Sequence, residues 1–340
     1  MDYRQTALWQ DVLEIPAALR ATLAADHGAD RVAGLLGAPD VRRVVVTGNG
    51  AAYYVALGLW LASLDAGSAG GPELTAVPAG LVARGRFAWR SGDRLLAISS
   101  SGEFRDVIEA VAHGAPQPYA AVTATAGSTL GTGAGARALQ TVLHQRAVTH
   151  TQALCGGIVL ALLAWAEASA DAALAELARS APEVAESAIE AASAAAGEVA
   201  DTPLPRAAIA FAGGAAWPAA LETALLLKEV ARVPCEGVET REGATSAMFG
   251  LGPEDLVLSI PTAGDELLAE TEAACATSGA RVLRLRGAEA VDGRLGLVAA
   301  LPAGCALAAD LALRAGHDPD QPAWTEAYYR VARGPSAAAP

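Results

Sequence analysis

The sequence carries one pattern twice, and this repeat limits the architectures that the chain can adopt. In the first half, RRVVVTGNGAAYYVALGLWLAS (42–63) and LLAISSSGEFRDVIEAV (95–111) each join an apolar run to a helix pattern through a turn. In the second half, AAIAFAGGAAWPAALETALLLKEVA (207–231) and LVLSIPTAGDELLAETEAA (256–274) follow the same plan. Strands that alternate with helices predict parallel sheets covered on both faces. We therefore predict an α/β fold with two tandem units, each a three-layer αβα arrangement.

The spacing of the turns and the composition of the connecting segments predict the domain organisation. Gly50 and Gly102 are 52 residues apart, and the equivalent Gly214 and Gly264 are 50 residues apart. A chain of 340 residues is long enough for two units that each bury a core. The expected boundaries are an N-terminal helical segment (1–36), the first unit (37–172), a helical connection rich in alanine and glutamate (173–204), the second unit (205–316), and a C-terminal segment and tail (317–340).

Charge argues against nucleic acid as a partner. The net charge is −13, and Lys228 is the single lysine of the sequence. Binding to a nucleic-acid backbone needs a patch of lysine and arginine that displaces counterions. An anionic ligand would instead have to be held by hydroxyl groups, backbone N–H groups at helix starts, or a few arginines.

Apolar runs and cysteine spacing indicate a cytoplasmic protein. The longest uncharged apolar run, 151–166, is shorter than the roughly 20 residues of a membrane-spanning helix, so we expect no membrane association. The opening MDYRQTALWQ lacks the pattern of a signal peptide. The four cysteines are scattered without a Cys-x-x-Cys pair, which favours reduced thiols over a disulfide framework or a metal site: Cys155, Cys235, Cys275 and Cys305.

A cluster of hydroxyls follows one predicted strand. Ser99, Ser100, Ser101 and Gly102 stand where a parallel strand meets a helix start, which is where ligands bind in open α/β sheets. The second half has Ile-Pro-Thr at this point (260–262), so the serines are not a general requirement of the fold. They predict a phosphate cradle, and the alternative is an ordinary helix N-cap. The Gly48–Gly50 turn lacks the third glycine and the acidic residue of a dinucleotide site.

Five blocks, taken in order, resemble a known family. They are VVVTGNGAAYYVAL, LLAISSSGEFRDVI, RAVTHTQALCGGIVLALL, ALETALLLKEVARVPCEGVETREGATSAMFGL and GHDPDQPAWTEAYYRV. Together they resemble tandem SIS-domain (sugar isomerase) proteins, including the isomerase half of glucosamine-6-phosphate synthase, amino-sugar-phosphate deaminases and fructosamine-phosphate deglycases. The resemblance covers nearly the whole chain. It implies a ligand that is a sugar phosphate, a homodimer, and no cofactor or metal.

The resemblance implies a phosphate turn that this chain matches in part. The family's turn reads Ser-Gln-Ser-Gly-Glu-Thr, and here residues 99–104 read Ser-Ser-Ser-Gly-Glu-Phe. Both outer serines match, while Phe104 replaces a hydroxyl. The serine that follows the family's first glycine turn is Ala52 in this chain. We place Gly50 and Ala51, from that glycine turn, in the same substrate-binding set as the three serines and Gly102.

The resemblance also implies that Glu229, in the block LLLKEVA, is the central acid/base. A carboxylate suits proton transfer between C1 and C2 of an open-chain sugar phosphate, and burial would raise its pKa. The alternative is that Glu229 is an exposed helix charge. Three other family groups are replaced: two lysines by Leu226 and Ala327, and the ring-opening histidine by Thr245.

Several polar residues are candidates to compensate for these losses. His317 lies in the C-terminal block, and His150 lies beside Thr151 in RAVTHTQ; either imidazole can carry a proton near neutral pH. Arg241, Glu242 and Thr245, in ETREGATS, have the polarity of a substrate-binding loop; the alternative is a surface loop. The candidate catalytic residues are therefore Glu229, His317 and Glu242, and His150, Thr151, Arg241 and Thr245 join the candidate binding residues.

Two classes of function follow from this sequence. The first is an enzyme that transfers a proton at C1/C2 of a sugar or amino-sugar phosphate, as an isomerase, deaminase or deglycase. The second is a phosphosugar-binding protein or sensor without catalysis. A specialised reaction on another ligand is a further alternative, because part of the family's phosphate shell is missing.

Overall fold

A computed structural model describes residues 2–25, 29–65, 71–113, 115–197 and 203–333; the predicted C-terminal tail from 334 onward lies outside these residues. The described strands are β1 (Arg43–Gly48), β2 (Glu73–Pro78), β3 (Asp93–Ile98), β4 (Ala120–Thr123), β5 (Ala138–Gln140), β6 (Ala208–Ala212), β7 (Cys235–Glu239), β8 (Leu256–Ser259) and β9 (Arg281–Arg284). The described helices are α1 (Ala7–Leu13), α2 (Ile15–Ala24), α3 (Ala29–Leu36), α4 (Ala51–Asp65), α5 (Ala79–Ala83), α6 (Arg105–Ala112), α7 (Thr129–Ala134), α8 (Thr151–Ala168), α9 (Ala172–Arg179), α10 (Ala181–Gly197), α11 (Trp217–Leu226), α12 (Thr240–Thr245), α13 (Leu268–Ala276), α14 (Gly296–Arg314) and α15 (Thr325–Arg333).

The chain forms two compact units, and each is assembled from separate segments. The unit that contains β1–β5, hereafter the first unit, comprises Ala17–His144, Gln152–Ser180 and Trp324–Pro340. The unit that contains β6–β9, hereafter the second unit, comprises Met1–Pro16, Gln145–Thr151 and Ala181–Ala323.

The first unit is built on a parallel sheet in the order β2-β1-β3-β4-β5. Five successive residues of β1 are buried, and β3 is buried along most of its length. Because successive side chains of a strand point to opposite faces, this pattern shows that both faces of the sheet are covered. Strand order reverses between β1 and β3, so the turns that follow these two strands lie side by side.

The second unit repeats this topology with the order β7-β6-β8-β9, again all parallel. The central strands β6 and β8 are buried throughout. The loops after β6, β7 and β8 emerge at one edge of the sheet, as those after β2, β1 and β3 do in the first unit. Two parallel sheets flanked by helices confirm the predicted α/β class.

Two long apolar helices provide much of the interior. Helix α8 and residues 293–314, which include α14, have the length and apolarity of a membrane span, but 83% and 94% of these stretches are buried inside the protein. Burial of this kind is typical of the core helix of a soluble protein. Helix α14 packs against α1, α10 and α11 within the second unit.

Candidate functional site

The serine turn, residues 99–102, is a rigid loop at the end of β3. Ser99 is 2% exposed, and its Oγ accepts a hydrogen bond from the N–H of Gly102 at 3.1 Å. The N–H of Ser99 donates to the carbonyl of Val122 on the neighbouring strand β4. Gly102 has φ +66°, and a Cβ there would overlap Ser128 Oγ, so glycine is required. Ser99 therefore fixes the turn.

Ser100 and Ser101 are half-buried and present hydroxyls at the outer side of the serine turn. The carbonyl of Ser100 accepts from the N–H of Ala124, which holds the turn against the loop after β4. Ser101 Oγ accepts from the N–H of Glu103 at 3.3 Å. Helix α6 starts at Arg105 with Phe104 as its N-cap residue, so the alternative that the serines cap this helix is wrong.

Glu103 directly follows the serine turn, and its carboxylate connects this turn to the start of α7. It accepts hydrogen bonds from the N–H of Thr129 at 2.7 Å and from the Oγ1 of the same residue at 2.8 Å. These bonds place a negative charge at the first residue of α7, where the helix dipole favours it. The carboxylate of Glu103 is thus bonded to α7. The polar donors that the serine turn offers to a ligand are therefore its hydroxyls.

The glycine turn after β1 lies beside the serine turn. Gly50 has φ +54°, and its carbonyl accepts from the N–H of Tyr53 in the first turn of α4. A Cβ on Gly48 would stand 2.6 Å from the backbone of Ala52, so this turn packs tightly. Because β1 and β3 are adjacent and parallel, Gly50 and Ala51 share one sheet edge with Ser99–Gly102. Their assignment to one substrate-binding set stays a prediction.

An aromatic cluster stands next to the serine turn. The ring of Phe104 makes an edge contact with Tyr328 on α15, with centroids 6.1 Å apart, and Tyr328 makes a similar contact with Tyr329 at 5.1 Å. The guanidinium of Arg333 lies over the ring of Tyr329 at 4.7 Å. The cluster attaches α15 to α6. Phe104 therefore gives the serine turn an apolar neighbour where the family has a hydroxyl.

Glu229 lies in a π-helical turn, Leu227–Ala231, that continues directly from α11. The turn ends at Arg232, which has the left-handed φ of +57°, before the chain enters β7. Glu229 is exposed on this helical turn, as the alternative of an exposed helix charge expected. Desolvation by the surrounding protein nevertheless raises its pKa, and the neighbouring Lys228 lowers it by a smaller amount. An accessible carboxyl with a raised pKa is a candidate general base.

Glu222, seven residues before Glu229, is a second buried acid that the sequence analysis did not single out. It is 5% exposed, and burial, followed by the repulsion of Glu229, raises its pKa to about 8. The signal was available in ALETALLL, where a single acid stands among apolar residues on every side of the helix. Such a residue has no polar helix face on which to lie.

Arg241, Glu242 and Thr245 lie on the short helix α12 and not in an open loop. Arg241 and Glu242 are exposed, and their N–H groups donate to Glu239 Oε2 at 2.8 and 3.1 Å. The Oγ1 of Thr245 donates to the carbonyl of Glu242 at 3.0 Å. The three residues thus form one exposed polar patch.

At the carboxyl ends of its strands, the second sheet carries two carboxylates that bond to neighbouring loops. Glu239 Oε1 accepts from the N–H of Gly214, in the glycine turn after β6, at 3.3 Å. Asp265, in the loop equivalent to the serine turn, accepts from Thr240 Oγ1 at 2.6 Å. A Cβ on Gly213 would stand 2.6 Å from the same carboxyl group. An external anion would be repelled here, whereas the serine turn offers hydroxyls.

The remaining candidates occupy the second unit. His150 is exposed, and Thr151 begins α8 with a buried hydroxyl that has no hydrogen-bond partner within the described chain. His317 is half-buried just after α14, and its backbone N–H donates to the backbone carbonyl of Ala312 at 2.8 Å. Asp320, in the same segment, accepts from the N–H groups of the first two residues of α1 at 2.8 Å each.

Thiol and metal chemistry find little support in the described residues. None of the four cysteines forms a disulfide in the part of the chain that the structure describes, and burial raises the pKa of Cys235 to about 12, which disfavours a thiolate. Within the described ranges, histidine, cysteine and acidic side chains form no group of three or more that could hold a metal ion.

The two parallel sheets, with loops gathered at the carboxyl ends of their strands, define a class: the chain has the fold of tandem sugar isomerase (SIS) proteins. The C-terminal domain of glucosamine-fructose-6-phosphate aminotransferase from Francisella tularensis is similar with a TM-score of 0.74 and 18% identity, over 94% of this chain and 98% of that chain. Glucosamine-6-phosphate deaminase from Thermotoga maritima is similar with a TM-score of 0.72 and 18% identity, over 94% and 98%. Tagatose-6-phosphate ketose/aldose isomerase from Escherichia coli has a TM-score of 0.74 and 16% identity, over 93% and 96%.

No protein-family model and no curated protein matches the sequence. The likeness to the solved structures is therefore a likeness of fold at 16 to 18% identity. It confirms the resemblance to SIS proteins at the level of architecture and leaves the reaction to be inferred from the residues.

Proposed function

We propose that this chain is an enzyme that transfers a proton between C1 and C2 of a sugar or amino-sugar phosphate, with Glu229 as the base. The observation that carries this proposal is the environment of Glu229, whose carboxyl is open to solvent while burial raises its pKa. A base works best when its pKa approaches the working pH. The names of the three similar structures, an aminotransferase, a deaminase and an isomerase of sugar phosphates, support the substrate class.

The proton transfer is the same for all three reaction types. The carboxylate of Glu229 takes a proton from the carbon next to the carbonyl or imine carbon, and the electron pair of that C–H bond forms a C1=C2 double bond. The oxygen or nitrogen on the former carbonyl carbon receives the displaced electrons. The hydroxyl or amine on the carbon that lost its proton then gives up its own O–H or N–H proton and becomes the new C=O or C=N, while the former carbonyl oxygen or imine nitrogen takes up a proton. The electron pair of the C1=C2 bond takes the proton back from Glu229 onto the other carbon, which restores the carboxylate and completes the transfer.

The serine turn supports phosphate as the anionic group. Its hydroxyls and backbone N–H groups follow a parallel strand, a position that favours anions, and hydrogen bonds to a charged group contribute about 1.5 to 3 kcal/mol each. The equivalent edge of the second sheet already holds Glu239 and Asp265. We therefore assign phosphate binding to Ser99–Gly102, with Gly50 and Ala51 beside them.

The polar candidates outside the serine turn are proposed for the sugar. We assign His317 and Glu242 to proton transfer at the ring oxygen, because Thr245 and Leu226 cannot carry that proton. Arg241, Thr245, His150 and Thr151 are assigned to substrate binding. The hydroxyl of Thr245 donates within its helix, so we expect it to act toward a ligand as an acceptor.

A thermal-shift screen followed by proton exchange tests this function. The purified protein is heated with hexose, pentose and amino-sugar phosphates and with their unphosphorylated parents, because a ligand of the native state raises its apparent stability. Each hit is then incubated in deuterated buffer, and deuterium at C2 is measured by NMR. We expect phosphate-dependent stabilisation and exchange, with exchange lost in Glu229→Gln and kept in the exposed control Glu270→Gln.

The outcomes of this screen separate the classes of function. Stabilisation without exchange in the wild type would favour the phosphosugar sensor. Exchange that persists in Glu229→Gln would exclude Glu229 as the base. A lack of response to every phosphate would favour the third alternative, a reaction on another ligand.

Paired serine variants test the phosphate site. Ser101→Ala is expected to weaken binding about tenfold or more, because it removes one hydrogen bond to a charged group. Ser99→Ala should instead lower the melting temperature of the free protein, since Ser99 Oγ holds the turn. Ser187→Ala, on the exposed face of α10, is the control and should change neither quantity. Equal affinity of Ser101→Ala and wild type would remove Ser101 from the site.

We also propose a cytoplasmic homodimer that does not bind nucleic acid or membranes. The lack of a disulfide among the described residues is consistent with a reducing compartment, and a net charge of −13 disfavours nucleic acid. The dimer rests on the resemblance to SIS proteins. Sedimentation of the purified chain would decide it, because a monomer at micromolar concentration would contradict the proposal.

A further inference from the structure

Glu222 is an ionisable group enclosed in the second unit. It lies in the middle of α11, is 5% exposed, and its Oε2 has no hydrogen-bond partner within the described part of the chain. A buried carboxylate without hydrogen bonds is costly, whereas a protonated carboxyl is neutral and costs far less. Such a residue therefore needs an explanation beyond packing.

The surroundings of α11 offer Glu222 little compensation. Helix α14 contacts α11 with apolar and small residues, among them Gly304, and Leu226 and Thr223 lie against it. Strand β6 and the turn 214–216 carry no titratable group. The titratable groups on the closely packed elements are Lys228 and Glu229 in the π turn, Cys235, Glu236 and Glu239 on β7, and Cys305, Asp310 and Arg314 on α14.

Among these groups, Glu229 is the one whose charge raises the pKa of Glu222, after the larger effect of burial. The two residues lie seven positions apart on one continuous helical segment, about two turns and 10 Å of rise. Leu226, one turn after Glu222 on the same segment, is buried against α14. The charge of Glu229 acts on Glu222 through an interior of low polarity around α11, where repulsion between like charges is stronger than in water.

We propose that Glu222 is a positioning residue for Glu229: it keeps its proton, so that the carboxyl pair of this helix carries one negative charge and that charge lies on Glu229. This inference rests on the proposed role of Glu229 as the base. Burial and the charge of Glu229 both raise the pKa of Glu222, to about 8, in agreement with this arrangement. Above that pH the second charge forms and opposes the negative charge that develops on the substrate as its proton is removed.

A direct titration of the carboxyls tests the pair without any ligand. Glutamate labelled with carbon-13 at the carboxyl separates these groups from aspartates, and the infrared band of protonated glutamate is followed from pH 5 to 10. We expect a band that persists at pH 7, disappears with a midpoint near 8, and is absent at pH 7 from Glu222→Gln. In Glu229→Gln the midpoint should fall, because the repelling charge is gone, and Glu270→Gln should match the wild type.

The pH profile of C2 proton exchange provides the second readout. In the wild type, exchange should fall as pH rises above about 8, and in Glu222→Gln this fall should disappear. Glu222→Met, whose side chain suits the apolar surroundings, is the second variant if the amide disturbs the fold, and it should also lack the fall.

Each outcome is decisive. An ionised Glu222 at pH 7, or an unchanged midpoint in Glu229→Gln, would overturn the proposal. If no sugar phosphate supports exchange, the proposed function fails, while the carboxyl titration still establishes or refutes the coupled pair.

Discussion

Replacing Glu222 with glutamine should make the stability of this protein less sensitive to pH. The pKa of Glu222 is about 8 in the folded chain, against an ordinary value of 4.5. For an acid whose folded pKa is raised, the unfolded chain loses its proton first. The favourable contribution of the protonated group is therefore complete below pH 4.5 and declines as pH rises toward 8. Glutamine resembles the protonated carboxyl and does not titrate.

The size of the effect follows from the shift in pKa. One pKa unit corresponds to about 1.4 kcal/mol, so a rise from 4.5 to about 8 corresponds to a loss of up to about 5 kcal/mol. Between pH 5 and 8, the free energy of unfolding of the wild type should fall by roughly 1.4 kcal/mol per pH unit relative to Glu222→Gln. The raised pKa of Glu229 also makes the free energy of unfolding fall with pH, in the wild type and in Glu222→Gln alike. Most of this contribution cancels when the two proteins are compared.

Urea unfolding at pH 5, 6, 7 and 8 measures this difference. A domain of ordinary stability unfolds with about 5 to 15 kcal/mol, so a change of several kcal/mol moves the midpoint clearly. The control Glu270→Gln should follow the wild type at every pH, because its side chain is exposed. A difference between Glu222→Gln and wild type that stays constant from pH 5 to 8 would refute the assignment of a buried, protonated carboxyl.

Two further substitutions test the frameworks that hold the candidate residues. Gly102→Ala should cost at least about 2 kcal/mol in urea unfolding, because φ is +66° and the new Cβ would overlap Ser128 Oγ; Gly127→Ala, into open space, should stay near the wild type, and equal losses would contradict this reasoning. Asp11→Ala should cost about 3 kcal/mol, because the fully buried carboxylate accepts from two backbone N–H groups and a guanidinium. Glu14→Ala, which removes a more exposed partner of the same guanidinium, should cost less than about 1 kcal/mol, and a larger loss there than in Asp11→Ala would disprove the ranking.

The buried strands were predictable from the sequence because their environment is local and uniform. Strands β1, β3, β6 and β8 are apolar runs that end in glycine or serine turns, as the repeat predicted. Strands β5 and β9 were not predicted, because they are edge strands of three and four residues in which one residue each is buried. Edge strands bury one face or less, so their sequences resemble loops.

The sequence predicts those parts of the candidate site that directly follow a strand. It does not predict those parts that depend on packing against segments far along the chain. The serine turn follows from its position after β3, which the sequence contains. The environments of Glu222 and Glu229 depend on α14, almost eighty residues later in the chain, and on a π turn that the periodicity does not show. A helical pattern of 3.6 residues per turn cannot indicate where the helix widens.

The segment composition of the two units determines how the duplicated chain can be divided. Met1–Pro16 belongs with the second half of the repeat, and Trp324 and the residues after it belong with the first half. A single protease cut in the connection between the repeats would leave each fragment holding a piece of the other fragment's unit. Neither fragment would then contain all of the segments that complete its own unit.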